Sequence, residues 1–124
     1  MHKPHKNLEV WKKSMEFVEK VYEVTATFPK EEMYGLVSQV RRSAVSIPAN
    51  IAEGAARKGV AEFNQFIHIA LGSSSELDTE LEISQRLGYI PDATWRELDD
   101  RLVEIDRMLI GLKKSLAAKR EVRG

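Results

Sequence analysis

Three histidines, three consecutive serines and a short run of carboxylates are the residues of this chain whose types could do chemistry. His2 and His5 stand three apart at the start, and His68 lies among Asn64, Gln65, Ile69 and Gly72. A dinuclear carboxylate bundle needs Glu-x-x-His on two helices, and neither copy is present. There is no cysteine, so disulfides and thiolate-bound metals are excluded. Ser73, Ser74 and Ser75 lack the glycines of a nucleophile elbow. Glu76, Asp78, Glu80 and Glu82 read as a solvated face rather than acid–base machinery, and no phosphate-binding loop occurs. The expectation is a protein that is not an enzyme, with no metal, no cofactor and no small-molecule substrate.

Two further sets of residues could bind without reacting. Arg42, Ser46, Asn50, Glu53 and Arg57 step by four, four, three and four, which places them on one face of a helix. Such a row is either a solvated face with internal pairing, Glu53 with Arg57 for example, or a contact face for another subunit or a ligand. The second set is basic. Lys3, Lys6, Lys12 and Lys13 gather at the start, and Lys113, Lys114, Lys119, Arg120 and Arg123 gather at the end. In an up-down-up-down bundle these two stretches share one end. Lys113, Lys114, Lys119 and Arg120 are therefore the candidate nucleic-acid contacts. The competing reading is a helix C-terminus complemented by cations. Overall, 19 basic residues balance 19 acidic ones, which argues against a surface shaped throughout for nucleic acid.

The elements that must position these residues are helices. The 124 residues suit one domain, and 43% hydrophobic with 31% charged residues is globular. Four apolar patterns at helical spacing predict helices over about 8–27, 30–57, 60–87 and 92–118. Asn7 is a candidate N-cap for the first. Leu8, Trp11, Met15, Val18, Tyr22 and Thr25 form one stripe of that helix, and Val10, Phe17, Val21 and Val24 form another beside it. Met33, Val37, Val40, Ala44, Ile47, Ile51 and Ala55 mark the second helix. Phe63, Ile67, Ala70, Ser74, Leu77 and Leu81 mark the third, with Gly88 and Pro91 closing it. Trp95, Leu98, Leu102, Ile105, Leu109, Leu112 and Leu116 mark the fourth. Short connections make neighbours antiparallel, so the expected fold is all-α, an antiparallel up-down-up-down four-helix bundle. No run approaches a membrane span, and the expected location is the cytoplasm.

Pro48 interrupts the second pattern. Proline removes one helical hydrogen bond and crowds the carbonyl four residues earlier, at about 3 kcal/mol in a helix interior. The apolar stripe keeps its phase across Pro48, which predicts a helix bent there but continuous, with Ile47 and Ile51 both buried. Ser43 or Ser46 could bond the freed backbone. The small residues Gly72, Ser73, Ser74 and Ser75 of the third helix predict close packing against the small part of the second.

The stretch "RRSAVSIPANIAEG" resembles the four-helix-bundle proteins encoded in intervening sequences of bacterial 23S rRNA genes, the S23-type proteins. The resemblance extends over "LEVWKKSMEFVEKVYEVTATFPKEEMYGLVSQV" before it and "EFNQFIHIALGSSSELDTELEISQRLGYI" after it. It implies an antiparallel four-helix bundle, often a homopentamer, with no established enzymatic activity. A related branch, the accessory proteins of diversity-generating retroelements, works with a reverse transcriptase and binds nucleic acid. Those proteins are strongly basic, and this chain is neutral. Arg42, Ser46, Pro48, Asn50, Glu53 and Gly54 are the positions that match the motif.

Assembly is also expected from the residues. Two apolar stripes on helix one, and Leu36, Val45 and Ala52 off the main stripe of helix two, exceed what one seam needs. Exposed apolar patches of that kind mark interfaces. The reading is a homo-oligomeric scaffold or adaptor, with Asn50 or Glu53 at or near a subunit contact. The alternative is an RNA- or DNA-binding accessory factor.

Overall fold

The computed structural model describes residues 3–123, without the side chains of 120–123, so His2 and the Arg120 side chain lie outside the described residues. Four helices follow one another: α1 (Glu9–Thr25), α2 (Leu36–Ala55), α3 (Val60–Arg86) and α4 (Asp92–Arg123). Each packs on its sequence neighbours, and α1 closes against α4. The backbones of α1 and α3, and those of α2 and α4, do not approach each other closely, so the helices stand at the corners of a square. The fold is all-α, a four-helix bundle.

One stripe from each helix fills the centre. Val10, Phe17, Val21 and Val24 of α1 meet Val37, Val40, Ala44, Ile47 and Ile51 of α2. Ile67, Ala70, Leu77 and Leu81 of α3 and Leu98, Leu102, Ile105, Leu109 and Leu116 of α4 complete the core. Ser14 sits in the α1 stripe and donates its hydroxyl to the Val10 carbonyl at 2.6 Å, so a buried polar group stays satisfied.

The two stripes of α1 are not equivalent. The Val10 stripe is the core. In the stripe through Leu8, Trp11 and Val18 those three are half-buried, and Met15 and Tyr22 are exposed. Both stripes keep helical spacing, so spacing alone cannot rank them.

Two helix starts differ from the sequence expectation. Asn7 lies in a 3-10 turn over Pro4–Asn7, and α1 begins at Glu9. The second helix starts at Leu36, not near residue 30. Lys30–Glu32 form a separate 3-10 turn, and Gly35, at φ −111° and ψ −107°, is outside helical geometry. Met33 therefore falls in the connection and is exposed.

The end of α3 follows expectation. Gly88 has φ +81°, the left-handed region that suits glycine. Tyr89 N–H reaches back to the Ser84 carbonyl at 2.9 Å and Gly88 N–H to Gln85 at 3.0 Å. Pro91 then precedes α4, which runs on to Arg123, beyond the expected end near 118.

Helix α2 runs unbroken through Pro48, with Ile47 and Ile51 both buried. Ser46 and Ser43 serve α3 instead of the freed Ala44 carbonyl. The Ser46 hydroxyl is 2.7 Å from that of Ser73, and Ser43 lies against the Glu80 carboxyl.

Candidate functional site

The seam between α2 and α3 gathers most of the motif. Gly54 is the tightest point. A Cβ there would stand 2.8 Å from Phe66 Cβ and 2.9 Å from Phe63 Cδ1, so no larger residue fits without displacing α3. Further along, Asn50 Nδ2 donates to both the carbonyl and the hydroxyl of Ser46, at 2.8 and 2.9 Å. The three serines of α3 diverge: Ser73 bonds Ser46, Ser74 donates to Asp106 Oδ1 at 2.6 Å, and Ser75 turns to the Leu71 carbonyl. The first two bonds tie α3 to α2 and to α4, and the third stays within α3.

The polar row of α2 is thus divided. Ser46 and Asn50 are held in the α2–α3 seam. Glu53 and Arg57 are exposed and pair with each other at 3.6 Å, and the Arg57 guanidinium lies 5.0 Å from the Phe66 ring centre. Solvent screening leaves such a pair little energetic weight. Arg42 alone points to a different surface, the outer side of α1 and α2.

That outer surface holds a depression of about 460 Å³ lined by Tyr22, Met33, Tyr34, Val37, Arg41 and Arg42 among others. Tyr34 is 97% exposed, and Tyr22, Met33 and Val45, which also lines the depression, are exposed as well. Arg41 is anchored there. Its Nε donates to Thr25 Oγ1 at 2.9 Å, and its guanidinium stacks 4.4 Å from the Tyr22 ring centre. Sequence reasoning picked out Val45 and Arg42 but missed Met33, Tyr34 and Arg41. The available signal was the pair Met33–Tyr34 between Pro29 and Gly35, an apolar residue and an aromatic in a connection.

The carboxylates of α3 do not share a face. Residues two apart lie about 200° apart around a helix, so the expected single solvated face is geometrically excluded. Glu82 pairs with Arg86 at 2.9 Å on the surface. Glu80 turns toward α2. Burial pushes its carboxyl above the usual range, and one of its oxygens has no partner among the described residues. Asp78 joins Asp99 and Asp106 in a groove of about 250 Å³ between α3 and α4, which Ser75, Thr79 and Val103 also line. Asp78 is raised by burial and then by the neighbouring Asp99, and Asp106 is raised by burial despite the Ser74 hydrogen bond. Among the described residues no group of three or more His, Cys, Asp or Glu is placed to hold a metal ion. His68 is exposed, and His5 packs edge-on against Trp11.

The basic stretches lie toward the same end of the bundle. Lys13 pairs with Glu104 at 3.3 Å and Lys20 with Glu97 at 4.0 Å. Seven residues forward on α1 correspond to seven backward on α4, so the two run antiparallel. Carried to the start of α1 at Glu9, this register sets Lys113 and Lys114 beyond it, toward the end that holds the turn over Pro4–Asn7, where Lys3 and Lys6 are exposed. Lys114 and Lys119 are exposed and Lys113 is half-buried.

The model of the 23S rRNA-intervening sequence protein family matches residues 6–111, which span all of α1 to α3 and most of α4. The chain belongs to that family. A crystal structure of a protein of unknown function from the S23 ribosomal protein family of Bacteroides thetaiotaomicron is similar, with 29% identity and a TM-score of 0.79. The similarity covers 85% of this chain and 95% of that one. No curated protein matches. Family membership thus accompanies a bundle whose distinctive motif, Ser46 to Gly54, lies mostly in an internal helix seam. Among the described residues no helix is long and apolar enough to cross a membrane.

Proposed function

We propose that this chain is one subunit of a cytoplasmic, non-catalytic homo-oligomer that acts as a scaffold or adaptor, with five copies closing a ring. The observation that carries the reading is the outer α1–α2 depression. Tyr22, Met33, Tyr34 and Val45 leave apolar surface in water beside two arginines. Burying such surface is the main driving force of association. The number five rests on the family resemblance. Glu53, paired with Arg57 on the surface, is a weaker contact candidate than Arg42.

Light scattering after size exclusion tests the reading on the parent, Val45→Asp and Glu53→Lys. The parent should run as a multimer, and Val45→Asp should shift it toward monomer while keeping its helical circular dichroism. Glu53→Lys should leave the assembly unchanged. A Val45→Asp variant that assembles like the parent would remove the depression from the interface.

A second reading, an accessory factor that binds RNA or DNA beside rRNA or a reverse transcriptase, is favoured by the basic end alone. Lys113→Glu with Lys114→Glu should then weaken binding to labelled RNA and flatten its salt dependence. No binding by the parent at low salt would remove this reading.

A further inference from the structure

We propose that the surface seated in the α1–α2 depression is the α3–α4 face of a second copy of this chain, so that copies join through opposite, charge-complementary faces. The inference rests on the oligomeric reading above and adds the partner surface to it. In a square bundle the α1–α2 and α3–α4 seams lie on opposite sides, so one copy can offer one face to each neighbour.

The two faces match in kind. The α1–α2 depression carries Arg41 and Arg42 beside exposed Tyr22 and Val45. Arg41 is already oriented by Thr25 and the Tyr22 ring, which lowers the cost of ordering it on contact. Arg42 is exposed and has no carboxylate partner among the described residues. The α3–α4 groove carries Asp78, Asp99 and Asp106 beside exposed Val103. Among the described residues none of these three aspartates is paired with a lysine or arginine. The lining of the depression thus has two arginines and apolar surface but no carboxylate, and the lining of the groove has three aspartates and apolar surface but no lysine or arginine. Asp78 and Asp106 hold their protons more tightly than ordinary aspartates because burial, and at Asp78 also Asp99, penalises a further negative charge. An incoming guanidinium would remove that penalty. Contacts between unlike faces are heterologous, and they close into a ring when the rotation per copy allows. A symmetric dimer through α1–α2 would instead bring Arg42 toward its own copy.

Charge exchange tests the pairing. Arg42→Glu, Asp78→Arg and the double variant are purified, checked for parental helicity, and followed by sedimentation velocity over a concentration series. Each single variant should raise the apparent dissociation constant of assembly about tenfold or more, since like charges then face each other. The double variant should return to within about threefold of the parent, because every contact in the ring regains one opposite pair. Loss with Arg42→Glu but not with Asp78→Arg would indicate a symmetric contact and overturn the proposal. A parental multimer indifferent to all three variants would overturn it too while leaving the oligomeric reading intact. A parent that stays monomeric at high micromolar concentration would overturn both.

Discussion

Helix α2 presents two contrasting surfaces, one to α3 and one outward beside α1. On the α3 side every feature closes inward. Gly54 admits Phe63 and Phe66, Ser46 meets Ser73, and Asn50 folds back on Ser46. On the outer side Val45 is exposed and Arg42 has no carboxylate among the described residues. The first surface is closed within one chain except at Glu80, whose buried Oε1 has no partner among the described residues. The second has large exposed side chains and, at Arg42, a charge without a carboxylate among the described residues, which is what the proposed contact surface requires. The most recognisable residues of the chain therefore build the fold, and the residues available for partners are ordinary ones.

Substitutions on the two sides should separate this contrast sharply. Ile51→Ala empties a fully buried position and should cost about 2–5 kcal/mol in urea unfolding. Val45→Ala on the outer side should stay within about 0.5 kcal/mol in dilute protein. An equal cost at the two positions would erase the distinction.

Gly54→Ala sharpens the tight end of the seam. A methyl at 2.8 Å from Phe66 Cβ forces α3 away, and the expected cost is about 1–3 kcal/mol even though alanine is the better helix former. A stabilised Gly54→Ala protein would mean that the close approach is not needed. Ser73→Ala removes the hydroxyl facing Ser46 and should cost about 1 kcal/mol, because Asn50 still donates to Ser46.

The smallest effect concerns pH and contrasts the seam with the acidic groove. Asp78 and Asp106 have folded-state values above 3.8, so between 3.8 and those values the folded chain binds more protons than the unfolded one. Stability from these two groups is therefore largest at low pH and falls as pH rises through that window. Asp78→Asn should raise the thermal midpoint slightly at neutral pH and shrink this pH dependence. A lowered midpoint in dilute protein would show that Asp78 has a favourable partner within the chain.

The fold was legible because apolar spacing over long helices is a strong signal. The core stripes of α3 and α4 and the continuity of α2 through Pro48 follow from phase alone. The start of α2 was not, since Lys30–Met33 extends the apolar phase while the backbone forms a 3-10 turn before Gly35. Nor could phase say which α1 stripe faces inward. The candidate surfaces were legible only in part. Arg42 and Ser46 share a helix face by spacing, yet one meets solvent and the other meets Ser73, because a face as wide as that row spans the edge of a helix seam. The groove of Asp78, Asp99 and Asp106 unites residues of two helices, and one-dimensional spacing carries no information about that pairing. The likeness of "RRSAVSIPANIAEG" to the rRNA-intervening family identified the lineage, and the structure explains the motif mainly as helix packing.

Sedimentation equilibrium of the unmodified chain, from low to high micromolar concentration, tests most directly whether the outer α1–α2 surface exists for another copy. The expected mass is a multiple of the 14.1 kDa chain that falls toward it on dilution or at high salt. A mass that stays at 14.1 kDa over the whole range would contradict it.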